Sequence, residues 1–193
     1  MKHYAVLCTE KNFIKKLDIA DILISTPSGI IMTKINDGDR LKSCMIVPEM
    51  ADVVIYSRKK ALRCPMNNIP NYKRNTVGDR AMNTTDDIDG ISMVDPKATD
   101  ILVITENGFI NKFDISGLPV SKRYKAGNNV IKLKPADSIH SLFSTNDNQI
   151  ITVLTKEKRY DIPVKDIPRA STVSTGKKLI PLKGDIIVKA ILN

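Results

Sequence analysis

Apolar residues recur along the chain in four short runs, each ending in a hydroxyl residue. The runs occupy residues 6–9, 54–57, 102–105 and 152–155. Short apolar runs bounded by polar turn residues are typical of β-strands. The closing residues Thr9, Ser57, Thr105 and Thr155 stand 48, 48 and 50 residues apart. A fixed period of about 20 to 50 residues indicates a repeat architecture, so we expect four copies of one unit.

Glycine marks the same period more sharply. The spacing is 49 residues in each case, in a chain with only nine glycines, and the four residues concerned are Gly29, Gly78, Gly127 and Gly176. A second apolar marker, followed directly by proline in the last three copies, lies at Ile22, Ile69, Leu118 and Ile167. We interpret the four glycines as structural residues at one equivalent place, where a loop enters a strand and requires a positive φ or a close backbone approach.

Each glycine is followed by an acidic turn and then by another apolar segment. These closing segments are predicted as strands over residues 41–47, 91–94, 139–143 and 186–191. Several short strands per copy, and no sustained helical periodicity, predict an all-β propeller of four blades of about 48 residues. The predicted blades cover approximately residues 3–50, 51–98, 99–147 and 148–193, as one domain over residues 1–193, because a single blade cannot bury both faces of its sheet.

Composition narrows the class of protein. No run approaches the length of about 18 apolar residues that a membrane span requires, so we expect a soluble, cytoplasmic protein with no membrane association. The cysteines Cys8, Cys44 and Cys64 form no CxxC pair, which predicts neither a disulfide framework nor a zinc site. We expect them to be reduced thiols that fill the core.

The net charge suggests an anionic partner. Thirty Lys and Arg against 21 Asp and Glu give a formal charge of +9 and a sequence pI near 9.4. Nucleic acid is the first hypothesis for such a surface and an acidic membrane the second.

Basic residues cluster in the loops before the glycines and in the strands after them. The predicted DNA-binding residues are Lys73, Arg74, Lys122, Arg123, Lys125, Lys132, Lys134, Arg169, Lys177 and Lys178. Lys132 and Lys134 share one face of a strand because they are two residues apart. A solvated surface would show the same alternation, but the near absence of such residues from the loop of the first copy favours a directional track.

A second basic set precedes a common strand residue by three positions and is a weaker candidate for a basic rim. It comprises Lys16, Arg63 and Lys112, with Asp161 at this place in the fourth copy and Arg159 as the nearest substitute. A solvated strand face explains this set equally well. For Tyr124, in the basic loop of the third copy, burial in the loop is favoured over stacking on a base.

The third and fourth copies carry a resemblance to a known family. Residues 100–109, with the strand, the Thr-Glu-Asn-Gly turn and the following basic residue Lys112, resemble a blade of the C-terminal β-pinwheel domain found in the A subunits of DNA gyrase and topoisomerase IV. Residues 166–169 with Gly176 and residues 183–185 are similar to the other half of that blade. The resemblance implies a β-pinwheel that binds double-stranded DNA for a type IIA topoisomerase, beside its catalytic core or partner subunits, without catalytic residues of its own.

One departure from the gyrase pattern bears on function. Gyrase members carry a Gln-Arg-Arg-Gly-Gly-Lys-Gly box that ends at the blade glycine and is needed for tight wrapping. Here only residues 121–127 come close, keeping Lys122, Arg123 and Gly127 at matching positions. The resemblance therefore implies a topoisomerase IV-like or diverged member, which bends duplex DNA on a basic outer rim without strong wrapping.

Motifs for catalysis or for a bound cofactor are not found. The segment around Gly176 has Ser171 where a phosphate loop needs its first glycine, and the segment around Asp87 has Thr85 and Pro96 at the ends where a calcium loop needs ligands. We therefore predict no catalytic residue, no metal site and no cofactor. The alternative function is a propeller scaffold whose basic surface binds an acidic protein.

Overall fold

The computed structural model describes residues 2–23 and 28–193 and contains four antiparallel sheets. The first sheet has the order β3-β1-β2-β6 and the second the order β5-β4-β7. Their strands are β1 (His3–Thr9), β2 (Phe13–Asp18), β3 (Leu41–Pro48), β4 (Asp52–Ser57), β5 (Ala61–Pro65), β6 (Asp79–Arg80) and β7 (Ile88–Met93).

The third sheet has the order β10-β8-β9-β13 and the fourth the order β12-β11-β14. Their strands are β8 (Asp100–Thr105), β9 (Phe109–Asp114), β10 (Ile139–Thr145), β11 (Ile150–Thr155), β12 (Arg159–Pro163), β13 (Lys177–Lys178) and β14 (Ile187–Leu192). The helical elements are α1 (Ile19–Leu23) and three 3-10 turns at Met66–Asn68, Ile115–Gly117 and Val164–Asp166. The predicted all-β fold of four repeated sheets is confirmed.

The chain divides into two compact units. One contains Met1–Ser57, Leu62–Met93 and Val120–Gly127, and the other contains Arg58–Ala61, Val94–Pro119 and Asn128–Asn193. The predicted blade limits follow the sequence repeats, whereas residues 79–80 and 177–178 belong to the sheets of the preceding repeats. The blade limits and the single domain therefore remain predictions.

Alternation along the strands builds the cores of each unit. In β1, Tyr4, Val6 and Cys8 enter a core that includes Ile14 and Ile55, as expected when every second side chain points to the same face. The intervening residues of β1 enter a separate cluster with Leu17. In the other unit, β8 and β11 form the equivalent core.

A strand from each of two repeats completes the sheet of the repeat before it. The strand β6 pairs with β2, and β13 pairs with β9 in the same register, so that Asp79 lies opposite Ile14 and Lys177 opposite Ile110. In the third repeat, Asn128 forms a single antiparallel bridge to Ala61. All three attachments begin directly after a repeat glycine.

The repeat glycines adopt the left-handed conformation that the 49-residue spacing suggested. Their φ values are +77° at Gly29, +101° at Gly78, +75° at Gly127 and +68° at Gly176. A Cβ on Gly78 would lie 2.6 Å from the carbonyl oxygen of Ile14, and one on Gly176 would overlap the carbonyl of Ile110. A Cβ on Gly29 would meet no atom within 4 Å, so its steric surroundings differ.

The expectation of three core thiols holds for two of the cysteines. Cys8 and Cys64 are fully buried, and burial raises the pKa of each thiol to about 12. Cys44 is exposed, because it lies on the edge strand β3 and its side chain does not enter the core.

Replacing Gly176 by Ala should destabilise the fold more than the same change at Gly184. Both glycines have positive φ, which costs an alanine about 1–2 kcal/mol, but a Cβ on Gly184 would meet no atom within 4 Å. The overlap with Ile110 should add about 1–3 kcal/mol, the usual range for forced overpacking. Urea unfolding followed by far-UV circular dichroism measures the difference. Equal losses for the two variants would contradict the close approach.

Candidate nucleic-acid interface

The ten predicted DNA-binding side chains divide into two groups according to their surroundings. Eight are exposed, and in the described part of the chain none of the eight pairs with a carboxylate: Lys73, Arg74, Lys122, Lys125, Lys132, Lys134, Lys177 and Lys178. The other two, Arg123 and Arg169, are held in ion pairs. The exposed group is therefore the part of the prediction with charge available for an external anion.

Two of the exposed lysines lie over one aromatic ring, and two more adjoin them in the same loop and strand. The Nζ atoms of Lys134 and Lys178 lie 5.0 Å and 5.8 Å from the ring centroid of Phe109. Lys177 and Lys178 form β13, and the amide of Lys132 donates to the carbonyl of Ser174, two residues before the repeat glycine. We call Lys132, Lys134, Lys177 and Lys178 the Phe109 lysine cluster.

The same combination of ring and cation occurs in the first repeat. The guanidinium carbon of Arg80 lies 4.7 Å from the ring centroid of Phe13, and Arg80 follows its repeat glycine by two residues, as Lys178 does. Such contacts restrain a long side chain while its charge stays accessible. Sequence reasoning did not identify Phe13, Phe109 or Arg80, although the common repeat offset of these pairs was a signal that could have found them.

The loops before the glycines are held in place by buried polar side chains. Lys15 is fully buried and donates from Nζ to the carbonyls of Lys73 (3.2 Å) and Thr76 (2.8 Å). In the other unit Asn111, also fully buried, donates from Nδ2 to the carbonyl of Ser171 at 3.1 Å. Both residues come from the second strand of the preceding repeat. The position of the basic loop is thus fixed from within the protein.

The guanidinium of Arg123, which was predicted to contact DNA, forms its hydrogen bonds within the protein. Nη2 lies 3.1 Å from Oδ2 of Asp79, Nε donates to the carbonyl of Asn68 at 3.2 Å, and Nη1 donates to the carbonyl of Arg80. The Tyr72 hydroxyl donates to the other oxygen of Asp79, at 3.0 Å. We therefore expect Arg123 to position the loop and to contribute less to phosphate binding than its neighbours Lys122 and Lys125.

Arg169 serves a buried carboxylate. Its Nε and Nη2 lie 2.6 Å and 3.0 Å from the two oxygens of Asp100, which is fully buried, and Nη1 lies 3.8 Å from Asp114. The pKa of Arg169 is raised, chiefly by the hydrogen bond to Asp100. A buried carboxylate requires a partner, so the first role of this guanidinium is structural.

Two residues of the proposed second basic set are buried, which corrects the suggestion that they lie on a rim. Lys16 and Lys112 are 8% and 3% exposed, and each donates from Nζ, at 2.8 Å, to the carbonyl that begins a 3-10 turn, Met66 and Val164 respectively. Neither ammonium is open to an external phosphate. Burial lowers the pKa of Lys16, while Lys112 gains a carboxylate partner in Asp147 at 2.9 Å.

The rest of this set is engaged in ion pairs. Arg63 lies 2.8 Å from Asp52, and Arg159 lies 2.8 Å from Asp161, with 65% of the Arg159 side chain exposed. Asp161 also accepts a hydrogen bond from Thr152 at 2.6 Å. The side-chain role at this repeat position is therefore to attach or to pair, and not to display a cation.

Tyr124 is 52% exposed, contrary to the interpretation that it is buried in its loop. Its φ of +62° and the hydrogen bond from its amide to the carbonyl of Ala81 turn the side chain outward, into a cleft of about 610 Å³. The charged residues lining that cleft are Lys11, Arg80, Asp37, Asp39, Asp86 and Asp87. This acidic excess makes the cleft unsuited to phosphate.

Neither a metal centre nor a membrane span is found in the described residues. Residues 2–23 and 28–193 hold no group of three or more His, Cys, Asp or Glu side chains arranged to bind a metal ion. Within the same residues, no helix is long and apolar enough to cross a membrane.

Four antiparallel sheets, with strands passed from one repeat to the sheet of the one before, define a β-pinwheel. The chain belongs to the family described as DNA gyrase C-terminal domain, beta-propeller, whose model matches residues 3–48, 60–93, 99–146 and 162–193. The resemblance noted in the sequence is thereby confirmed.

Individual relatives agree with this assignment. The DNA gyrase A protein of Kosmotoga olearia is 25% identical over 195 residues, which cover 97% of this chain and 24% of that protein. The chain thus spans about a quarter of the length of this relative. The solved C-terminal domain of DNA topoisomerase IV has a TM-score of 0.90 at 17% identity, over 100% of this chain and 62% of that one. The solved DNA gyrase A C-terminal domain has a TM-score of 0.87 at 22% identity, over 98% and 65%.

Replacing Lys112 by Met should lower stability and leave DNA affinity unchanged. The variant keeps the length of the side chain but loses the hydrogen bonds to Val164 and Asp147, at a cost of about 1.5–3 kcal/mol for bonds to a charged group. Urea unfolding and a DNA titration measure the two effects. The matched control is Lys132→Met, which should lower DNA affinity and leave stability unchanged.

Acid titration gives a second readout of the Lys112 variant. The hydrogen bond from Lys112 holds the pKa of Asp147 below its ordinary value of 3.8. A carboxyl group whose pKa is lowered by folding stabilises the folded state at pH values above its ordinary pKa. That stabilisation disappears as the pH falls through the lowered pKa. The loss of stability below pH 3.8 should therefore be smaller in Lys112→Met than in the parent protein. An unchanged acid dependence would mean that the ion pair does not persist in solution.

Proposed function

We propose that the chain is a DNA-binding accessory domain of a type IIA topoisomerase, which binds and bends duplex DNA on its exposed basic surface without strong wrapping. The observation that carries the proposal is the group of eight exposed cations that have no carboxylate partner in the described structure. Cations in such number and accessibility can displace counterions from phosphates, which drives binding without regard to sequence.

The expected binding mode is to the sugar-phosphate backbone. Base reading in the major groove requires a helix or a two-stranded ribbon that can enter the groove. The one α-helix in the described residues, α1, has five residues and no basic side chain. Lysines fixed by loops and short strands suit phosphate contacts, and the bending of DNA then depends on the placement of those contacts.

Weak wrapping follows from the state of the degenerate box in residues 121–127. The guanidinium of Arg123 is occupied by Asp79 and two carbonyls, which leaves Lys122 and Lys125 as the available cations of the loop. The box pattern places glycine where this chain has Tyr124, a residue with a φ of +62°. The loop thus has a left-handed residue where the box has a glycine, and one of its three cations is already occupied.

In this proposal the cleavage and rejoining of DNA belong to other parts of a longer parent protein. Membership of the gyrase C-terminal domain family supports a position at the C-terminus of a topoisomerase, and the partners we propose are duplex DNA and the catalytic core or partner subunits. No cleavage step is proposed for the chain itself.

Removing the Phe109 lysine cluster should weaken DNA binding and its dependence on salt. Each phosphate contact contributes about 0.9 to the slope of log K against log salt, so replacing all four lysines by Gln should reduce the slope by up to about 3.6. Fluorescence anisotropy with a non-specific linear duplex, from low to moderate salt, gives both affinity and slope.

A charge-matched control separates a local site from diffuse charge. The control replaces four other exposed lysines by Gln: Lys34, Lys59, Lys97 and Lys156. It changes the net charge equally, so an equal reduction in slope would show that no particular surface binds DNA. No binding by the parent protein at low salt would overturn the proposed function and favour the alternative of a scaffold for an acidic protein.

Restoring the box should increase wrapping. The changes are Ser121→Gln, Lys122→Arg, Tyr124→Gly, Lys125→Gly and Ala126→Lys; glycine suits the left-handed backbone at position 124. A nicked plasmid ligated with the parent protein present should show little change in linking number, whereas the restored variant should constrain more positive supercoils. Strong wrapping by the parent protein would contradict the expectation of bending alone.

A further inference from the structure

One carboxylate links two of the basic loops. The loops are residues 72–77 and 121–126, which lie in the same compact unit, and the carboxylate belongs to Asp79 at the start of β6. Its Oδ1 accepts a hydrogen bond from the Tyr72 hydroxyl at 3.0 Å, and its Oδ2 lies 3.1 Å from Nη2 of Arg123. Tyr72 belongs to the first loop and Arg123 to the second, so a single side chain contacts both loops.

The backbone attaches each loop separately. The amide of Tyr72 donates to the carbonyl of Lys16 at 3.1 Å, and the amide of Tyr124 donates to the carbonyl of Ala81 at 3.0 Å. These bonds fix one point of each loop. The side-chain bonds of Asp79 add a direct connection between the two loops, in which both of its oxygens are used.

Pairing of β6 with its neighbour does not require an acidic residue at this position. In the other copies the residue directly after the repeat glycine is Ile30, Asn128 or Lys177. Lys177 pairs with Ile110 in the same way as Asp79 pairs with Ile14. The backbone makes this pairing, so the Asp79 side chain can be changed without removing the strand from the sheet.

The two loops carry half of the exposed cations that have no carboxylate partner in the described structure. They are Lys73, Arg74, Lys122 and Lys125. Phosphates follow one another at a fixed spacing along a duplex, so cations on separate loops bind them together only when the loops keep a fixed separation. A separation fixed before binding also reduces the entropy that is lost when DNA arrives.

We propose that Asp79 is a positioning residue for DNA binding, whose carboxylate holds the loops 72–77 and 121–126 together as one surface. This inference rests on the proposed function and deepens it. A carboxylate beside a DNA-binding surface ordinarily opposes binding, because it repels the phosphates. At Asp79 the connection between the loops outweighs that repulsion, so an acidic residue favours the binding of a polyanion.

Asp79→Asn tests the proposal by the sign of its effect. The amide has one acceptor oxygen and one donor group, so it cannot accept from both Tyr72 and Arg123. In fluorescence anisotropy with a non-specific duplex, we expect affinity to fall by about three- to tenfold. The slope of log K against log salt should fall by about 0.9 to 1.8, for one or two lost phosphate contacts. If Asp79 only neutralised Arg123, the variant would free a cation, and an increase in affinity and slope would overturn the proposal.

The salt slope distinguishes positioning from a loss of folded protein. A partly unfolded population lowers the apparent affinity by the folded fraction and leaves the number of phosphate contacts unchanged. Urea unfolding should show that the Asp79→Asn variant is folded under the binding conditions. A lower affinity with an unchanged slope would assign Asp79 to stability alone and would overturn the proposal.

Asp21→Asn is the charge-matched control. Asp21 lines a cleft with Lys73 and Arg74, so its replacement makes the same change of charge beside one of the two loops. It forms no bond to Tyr72 or Arg123 in the described structure. We expect this variant to raise affinity about twofold at low salt, through the loss of repulsion alone. A fall equal to that of Asp79→Asn would overturn the proposal.

A double-mutant cycle tests whether Asp79 acts through Arg123. Arg123→Lys keeps the charge but loses the planar group that bonds the carboxylate and two carbonyls at once, so it should lower affinity and slope as Asp79→Asn does. The double variant should bind no more than about twofold more weakly than either single variant, because both remove the same connection. Arg40→Lys, in the ion pair with Glu10, is the matched control and should bind like the parent.

The outcomes separate this inference from the function on which it rests. Multiplicative losses in the double variant would show that the two residues act independently and would overturn the positioning role, while binding by the parent protein would still support the proposed function. No binding by the parent protein at low salt would overturn both.

Discussion

The interaction on which the rest of the structure depends is the close approach of a repeat glycine to the second strand of the preceding repeat. At Gly78 and Gly176 there is no room for a Cβ against the carbonyls of Ile14 and Ile110, and the backbone is left-handed at both. This approach lets the next two residues join the neighbouring sheet. The incoming loop is then secured by Lys15 in one case and Asn111 in the other, which perform the same task with different chemistry.

The attachments between repeats also decide which cations are left for a partner. Lys16 and Lys112 are buried against the carbonyls of 3-10 turns, and Arg123 and Arg169 are bound to carboxylates. A net charge of +9 therefore overstates the freedom of individual side chains. The accessible charge lies mainly on lysines of loops and short strands, and for Lys134 and Lys178 an aromatic ring restrains the side chain as well. A preorganised surface of this kind loses less side-chain entropy on meeting phosphate than a set of freely rotating lysines.

Sequence periodicity was sufficient for the fold because the features it detects are local. The glycine spacing and the apolar runs predicted β1, β4, β8 and β11, and a positive φ or a close backbone approach at the four glycines, all of which have positive φ. Periodicity could not show that residues 79–80 and 177–178 pair with the sheet of the preceding repeat. Such pairing depends on which sheet edge lies nearest in the folded chain, and composition does not reveal that. For the same reason Lys16 resembled a surface residue. A lysine in a strand is usually solvated, and the burial of Lys16 is made tolerable by the carbonyl of Met66, 50 residues away, and by the ring of Tyr4 at 4.8 Å.

The exchange of strands has a consequence for how such a chain can grow. The boundary of a sheet and the boundary of a sequence repeat are out of phase, because one strand of the first sheet and one of the third are encoded in the following copy. A tandem gene duplication of one period, wherever its ends fall, therefore adds a sheet together with the strand that the preceding sheet takes from the following copy. A deletion that is not a whole period leaves one second strand with a bare edge. Selection on blade number can therefore act in single steps, while insertions within the period between a second strand and the next glycine are penalised.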